Sequence, residues 1–134
     1  MSEDKDIRWK QRFQNYEKAF FQLKKGVDSF DYLEDIGKEG LIQRFEYTLE
    51  LAWKTLKDYL ASKEVIAKFP KDVIKYAFQA ELVDNGELWL QMLSDRNLMA
   101  HTYDESNFLN ALDKIVSLYF FEMQKLYNVL KNEQ

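Results

Sequence analysis

Residues 109–130 read LNALDKIVSLYFFEMQKLYNVL, and this stretch has the most regular hydrophobic spacing in the chain. Its large apolar side chains recur at alternating steps of three and four residues: Leu109, Leu112, Val116, Tyr119, Met123, Leu126 and Leu130. Because an α-helix turns by about 100° per residue, this spacing places all of them on one face. The pattern predicts a long amphipathic helix whose start is capped by Asp104 or Ser106.

Two more long helices are predicted upstream by the same spacing. The first, over about residues 5–28, carries an apolar stripe of Trp9, Phe13, Tyr16, Phe20, Leu23, Val27 and Phe30. The second, over residues 41–62, carries Leu41, Phe45, Leu49, Ala52, Leu56 and Tyr59, widened by Trp53 and Leu60. We expect Gly37 and Gly40 to interrupt helical structure between the two helices, because glycine disfavours a helix interior.

A short helix and a further helix complete the predicted architecture. The short one begins at Pro70, carries Val73, Ile74, Ala77, Phe78 and Leu82, and ends at Asp84-Asn85-Gly86. The next begins near Glu87 and carries Trp89, Met92 and Leu93. Alternating three-four spacing suits helices that pack nearly parallel. The sequence therefore predicts an all-α single domain over residues 1–134, an up-and-down four-helix bundle with one additional short helix.

Composition excludes several classes of function. The chain has no cysteine and one histidine, which rules out thiolate metal sites and all-histidine metal sites within one chain, and we expect no metal and no cofactor. It shows neither a secretory signal nor an apolar run of about 20 residues, so we expect a cytoplasmic protein without a membrane segment. A net charge of −4 argues against binding nucleic acid through charge alone.

Residues 96–103, RNLMAHTY, hold the only histidine and form the main candidate site. Arginine grips phosphate oxygens in pairs, and histidine can carry a proton near pH 7. Arg96 and His101 lie about 140° apart around a continuous helix, so one helix does not bring them together, whereas a two-fold dimer would juxtapose two copies. Asn97, one turn before His101, could fix the imidazole tautomer. The alternative is structural: Arg96 reaches an acidic neighbour and His101 caps a helix end.

The evidence for other candidate sites in the sequence is weaker. Glu46 and Glu50 lie one turn apart on the second predicted helix, a spacing that suits two carboxylate ligands of a metal. The histidine partners of such helical metal sites are missing, and an ion pair between Glu50 and Lys54 is favoured. The chain has no glycine-rich phosphate loop and no nucleophile elbow.

Two stretches resemble one known family. Residues 96–103 resemble the signature of the HEPN superfamily: an arginine, a polar residue, three further positions, then His-x-Tyr. Residues 44–54, RFEYTLELAWK, resemble the second helix of its bacterial branch, the nucleotidyltransferase substrate-binding proteins. With the chain length and helix order, the resemblance covers essentially the whole chain. It implies an all-α bundle that usually forms a homodimer and assembles with a cognate minimal nucleotidyltransferase encoded beside it.

The resemblance implies two functions, and a third interpretation stays open. The first is a nucleotide- or substrate-binding subunit of a two-component minimal nucleotidyltransferase system. The alternative is a metal-independent endoribonuclease toxin that binds RNA and is neutralised by the nucleotidyltransferase, which acts as the antitoxin. The third is a helical interaction module with a structural motif. Candidate catalytic residues are Arg96 and His101, candidate substrate-binding residues are Arg96, Asn97, His101, Arg44 and Glu50, and Tyr103 matches a tyrosine that the partner adenylylates.

Overall fold

The structure is a computed structural model that describes the backbone of residues 2–99 and 105–134, and the side chains of residues 3–96 and 105–134. Its helices are α1 (Ser2–Asp28), α2 (Asp35–Ser62), α3 (Pro70–Gln79), α4 (Gly86–Met99), α5 (Glu105–Lys114) and α6 (Phe120–Asn132). A 3-10 turn, Phe30–Tyr32, follows α1, and a π-helical turn, Ile115–Tyr119, joins α5 and α6 into one long helix. The predicted all-α bundle of four long helices and one short one is confirmed.

Helices α1 and α2 form an antiparallel pair at the centre of the bundle. Arg12 Nε lies 3.0 Å from Asp58 Oδ2, and Arg44 Nη1 lies 2.8 Å from the carbonyl oxygen of Gln22. The pair is close because α1 has a glycine at the crossing: a Cβ atom on Gly26 would lie 2.7 Å from Leu41 Cδ1.

Helix α6 closes the bundle against α1 with aromatic side chains. Phe20 stacks on Phe120 with ring centroids 5.5 Å apart, and Phe13 stacks on Tyr127 at 5.7 Å. The buried Tyr16 hydroxyl donates a hydrogen bond of 2.7 Å to the carbonyl of Met123. Apolar burial is the main stabilising term of such a core. The apolar residues predicted to face the core from the first two helices are buried in this core, except Val27 and Phe30, which are partly buried.

The predicted interruption at Gly37 and Gly40 is wrong, because α2 begins at Asp35 and runs through both glycines. Lys38 N donates to the Glu34 carbonyl at 2.9 Å in its first turn. A Cβ on Gly37 would lie 3.1 Å from Leu33 Cδ2, so Leu33 packs closely over that turn. Each glycine disfavours the helix by about 1 kcal/mol. The packing of the rest of α2 against the core outweighs this penalty.

Helix α3 ends earlier than predicted and for a different reason. Its last residue is Gln79, and the Leu82 amide donates back to the Ala77 carbonyl at 2.9 Å with Glu81 in the left-handed region at φ 62°. Asn85 instead starts the following helix, since its Oδ1 accepts the Leu88 amide at 3.1 Å. Phe78, predicted to be core, is half exposed.

The last helix is long, as predicted, but its register changes at the π-helical turn. Such a turn contains one residue more than a regular turn, which rotates the residues before it relative to those after it. Ile115 is therefore fully buried, Val116 only partly, and Leu109 is about half exposed. The helix begins at Glu105, so Ser106 lies inside its first turn, and Asp104 lies outside the described residues.

No helix in the described part of the chain is long and apolar enough to cross a bilayer.

Candidate functional site

Arg96 lies near the end of α4 and reaches across to α2. Trp89 and Leu93, two turns and one turn earlier on the same stripe, are buried and set the orientation of this face. The Arg96 side chain keeps 26% of its surface exposed, and its Nη1 donates a hydrogen bond of 2.8 Å to Glu50 Oε2. The expected acidic neighbour of Arg96 is therefore Glu50, 46 residues earlier in the chain.

Glu50 is the centre of a small group that we call the Arg96–Glu50 cluster, consisting of Arg96, Glu50, Trp53 and Lys54. Glu50 Oε2 also accepts Trp53 Nε1 at 3.1 Å, and Glu50 Oε1 lies 3.4 Å from Lys54 Nζ. The predicted Glu50–Lys54 ion pair is thus confirmed, and Arg96 joins it. The Lys54 ammonium also lies 5.9 Å from the centre of the Trp53 ring. The cluster contains two cations and one carboxylate, so it carries a net positive charge.

The two carboxylates along this edge of α2 have opposite pKa shifts. Burial raises the pKa of Glu50, but hydrogen bonds from Trp53 and Lys54 and the charges of Lys54 and Arg96 outweigh burial, so the pKa lies below its ordinary value. Burial raises the pKa of Glu46 above its ordinary value, although the charge of Arg96 opposes the shift. The Arg96–Glu50 contact is therefore an ionic one at neutral pH.

The residue before Arg96 is held from the opposite side. Asp95 Oδ2 accepts a hydrogen bond from the Tyr119 hydroxyl and lies 3.3 Å from Lys114 Nζ. Burial, together with the hydrogen bond to Asp95 and its charge, raises the pKa of Tyr119 far above its ordinary value, so this hydroxyl keeps its proton. The apolar spacing predicts Tyr119 as a core residue, and no sequence pattern singles out Asp95. The position of Asp95 directly before Arg96 was the available sequence signal.

The other predicted site residues are not part of the cluster in the described structure. Arg44 bonds to α1 through the Gln22 carbonyl, and it lies six residues before Glu50, about 120° around the α2 axis. The backbone of Asn97 belongs to α4, but its side chain lies outside the described residues. His101 and Tyr103 lie outside the described residues altogether. The structure therefore brings Arg96 and Glu50 together and leaves Arg44 on another face.

Within the described ranges no three His, Cys, Asp or Glu side chains are grouped to hold a metal ion. The arrangement around Arg96 instead gathers guanidinium, ammonium and indole N–H donors around the Glu50 carboxylate, which already contacts one atom of each. A separate groove of about 610 Å³ lies at the other end of α4, lined by residues including Ile74, Phe78 and Leu90. Leu90, the lining residue nearest to Arg96 along α4, lies six residues before it, a rise of about 9 Å, so the groove and the cluster occupy different parts of α4.

Comparison with known proteins agrees with this architecture. Residues 11–132 match the family described as nucleotidyltransferase substrate binding protein like. A probable ribonuclease HepT from Haemophilus influenzae is 31% identical over 71 residues, an alignment that covers 49% of this chain and 49% of that relative. The chain thus spans about half the length of this curated relative.

Two solved structures are similar over most of the chain. A protein from Thermus thermophilus has 35% sequence identity and a TM-score of 0.74, covering 87% of this chain and 97% of its own. HI0074 from Haemophilus influenzae, described as revealing the fold of a substrate binding domain of a nucleotidyltransferase, has 25% identity and a TM-score of 0.75. That alignment covers 89% of this chain and 98% of HI0074.

Proposed function

The chain belongs to the nucleotidyltransferase substrate binding protein-like family, and on this premise we propose that it is the nucleotide- or substrate-binding subunit of a two-component minimal nucleotidyltransferase system. The family match extends from α1 to α6, so it includes every helix of the bundle. The description of HI0074 as a substrate binding domain supports the same function. The partner would be a separate nucleotidyltransferase chain that supplies the transfer chemistry.

The observation that carries the binding role is the fixed, partly exposed guanidinium of Arg96. Glu50 contacts only Nη1 in the described structure, whereas a guanidinium carries five N–H donors. Because Glu50 already orients Arg96, a phosphate binds without the full entropic penalty of ordering a free side chain. Lys54 adds a second cation beside the same carboxylate. We expect the phosphate of a nucleotide to bind at Arg96, with Asn97 and His101 as further candidate contacts, whereas Arg44 lies on another face of α2.

Co-expression with the nucleotidyltransferase encoded in the neighbouring gene tests this function. The two chains are expected to elute as one complex in size-exclusion chromatography, and the complex is expected to bind AMP in calorimetry. AMP binding that disappears in Arg96→Ala while the complex stays intact would support the proposal. Two chains that elute separately and fail to bind AMP would contradict it.

A second candidate function is a metal-independent endoribonuclease. The observation that favours it is the identity to the probable ribonuclease HepT, together with Arg96 and His101 in one motif. In this mechanism a ribose 2′-oxygen attacks the adjacent phosphorus, the bond to the 5′-oxygen breaks, and a 2′,3′-cyclic phosphate remains. His101 would take the 2′-hydroxyl proton or protonate the leaving oxygen, and Arg96 would stabilise the phosphorane.

Incubation of the purified chain with single-stranded RNA in the presence of EDTA tests this activity. Cleavage that survives EDTA and is lost in His101→Ala is expected. Cleavage that EDTA abolishes, or that persists in His101→Ala, would contradict the mechanism. In a continuous helix Arg96 and His101 would lie about 140° apart, so we also propose a homodimer in which the two residues come from different protomers, and light scattering that shows a monomer at high concentration would count against it.

Tyr103 is a proposed modification site on the same motif. A nucleotide attached to its hydroxyl would bring a phosphate next to Arg96 and compete with substrate for this cation. Intact-mass measurement after co-expression with the active partner is expected to show an added nucleotide that is absent in Tyr103→Phe. An unmodified chain beside an active partner would leave Tyr103 without this role.

A further inference from the structure

The carboxylate of Asp95 receives two donors that lie five residues apart in the chain. Lys114 Nζ and the Tyr119 hydroxyl both contact Asp95 Oδ2. In a regular α-helix, residues five apart point about 140° away from each other. The π-helical turn Ile115–Tyr119 lies between them, and its i to i+5 hydrogen bonding places such residues roughly one turn apart. The π-helical turn therefore allows both side chains to converge on one oxygen.

We propose that the π-helical turn is a positioning device for the Arg96–Glu50 cluster: it holds Asp95 through Lys114 and Tyr119, and so fixes the neighbouring Arg96. The phosphate-binding part of this inference rests on the function proposed above. Asp95 and Arg96 are consecutive residues of α4, but their side chains bond to different elements. A rotation of the end of α4 about its axis would break both attachments.

The attachment through Tyr119 is rigid because the ring is fully buried. It stacks on Phe45 of α2 with centroids 5.5 Å apart and an interplanar angle of 19°. Phe45 lies one residue before Glu46 and five before Glu50 on the same helix. The hydroxyl thus links α4 to a ring that packs on the helix carrying Glu50.

A purely structural role for the π-helical turn makes a different prediction, and the chain offers a matched control. Tyr119→Phe removes one buried hydroxyl from Asp95, and Tyr16→Phe removes one buried hydroxyl from the Met123 carbonyl at the α1–α6 contact. Both changes are expected to lower the melting temperature, Tyr119→Phe by more because its hydrogen bond to a carboxylate is charge-assisted. Only Tyr119→Phe is expected to alter the cluster around Arg96.

Trp53 provides a ligand-independent reporter of that cluster. Its indole N–H donates to Glu50 Oε2, the same atom that Arg96 Nη1 contacts. The indole resonance in a ¹⁵N-correlated NMR spectrum of the whole chain is therefore sensitive to displacement of Arg96. We expect Tyr119→Phe to shift this resonance and Tyr16→Phe to leave it in place. Lys114→Met, a change at a partly exposed side chain, keeps the test available if Tyr119→Phe fails to fold.

The functional readout is the affinity for AMP. Tyr119→Phe and Asp95→Ala are expected to raise the dissociation constant about tenfold, since a displaced guanidinium loses much of a charge-assisted contact. Asp95→Asn should restore part of the affinity, because an amide oxygen still accepts hydrogen bonds. An unchanged Trp53 resonance in Tyr119→Phe and Lys114→Met would overturn the positioning role. Absence of AMP binding by the wild type would refute the phosphate site, while the Trp53 resonance would still decide whether the π-helical turn positions Arg96.

Discussion

Replacing Arg96 with alanine separates a binding role from a structural one, because the structure predicts a small loss of stability. The Arg96–Glu50 pair is partly exposed, with 26% and 39% of the two side chains accessible. Such pairs contribute about 0.2–1 kcal/mol to stability. Glu50 also keeps Trp53 and Lys54 as partners, so the change leaves the Glu50 carboxylate hydrogen-bonded. We expect a loss of about 1 kcal/mol or less, a few degrees in melting temperature.

The expected loss of affinity is larger. A bidentate, charge-assisted contact to phosphate is worth about 1.5–3 kcal/mol, so Arg96→Ala should weaken AMP binding roughly ten- to hundredfold. Arg96→Lys keeps the charge but loses the planar fork, and is expected to weaken binding as well. Calorimetric titration with AMP and thermal melting followed by circular dichroism measure the two effects on the same samples.

Arg12→Ala is the matched control for this prediction. Arg12 joins α1 to α2 through a 3.0 Å contact with Asp58, and its side chain is 37% exposed. It should lower the melting temperature at least as much as Arg96→Ala, because Asp58 is only 12% exposed and loses this partner, and it should leave AMP affinity unchanged. An Arg96→Ala chain that unfolds, or that binds AMP as well as the wild type, would refute the reasoning and make Arg96 a structural residue.

Four further predictions concern stability and its pH dependence. Gly26→Ala should lower the free energy of unfolding by about 1–3 kcal/mol, because the new Cβ would lie 2.7 Å from a fully buried leucine. Gly40→Ala, whose new Cβ would have nothing within 4 Å, should raise the free energy of unfolding by about 0.5–1 kcal/mol, and urea unfolding measures both changes. Glu81→Gly should raise the unfolding free energy by about 1 kcal/mol, since Glu81 has a φ of 62° that glycine adopts without penalty; an unchanged denaturation midpoint would contradict this. Because the pKa of Glu50 is lowered in the folded state, its ionised carboxylate stabilises the fold at pH values above the ordinary pKa of 4.5, and this contribution is lost as pH falls through the folded pKa. Glu50→Gln should therefore lower the melting temperature at pH 7 and have little effect in acid. Because the pKa of Glu46 is raised in the folded state, its ionised carboxylate destabilises the fold at neutral pH, and this penalty disappears as pH falls through the folded pKa. Glu46→Gln should therefore raise the melting temperature at pH 7 only. A change in melting temperature that is equal at all pH values would contradict the predictions for Glu50 and Glu46.

The helices were predictable because apolar spacing records which face is buried, and that signal is repeated over many turns. Their boundaries depend on tertiary packing, which single residues do not reveal: Gly37 and Gly40 lie within α2 although each disfavours a helix. The π-helical turn was also hidden. Ile115 and Val116 are adjacent and both apolar, so the regular spacing passed through Val116 while the structure buries Ile115.

The candidate site was predictable only in part for a related reason. Residues 96–103 stand out by their side-chain chemistry, and the Glu50–Lys54 pair follows from helical spacing within α2. The contact between Arg96 and Glu50 joins α4 to α2, and the contact between Asp95 and Tyr119 joins α4 to the π-helical turn. Such contacts depend on how helices are rotated against one another, which the apolar stripes define too coarsely to pair individual polar side chains.

The contacts between α1 and α6 join distant parts of the chain, which bears on the order in which we expect the bundle to assemble. Tyr16 and Met123 are 107 positions apart, so their contact closes a very long loop, whereas α1 and α2 are joined by a short connection. Closing a long loop costs more chain entropy, so we expect α1 and α2 to associate early and α6 to dock late. Until α6 docks, Phe13 and Phe20 lack the rings they stack on, and we expect these exposed aromatic side chains to favour aggregation with other chains. Weakening those ring contacts should therefore accelerate unfolding in stopped-flow measurements and leave the refolding rate almost unchanged.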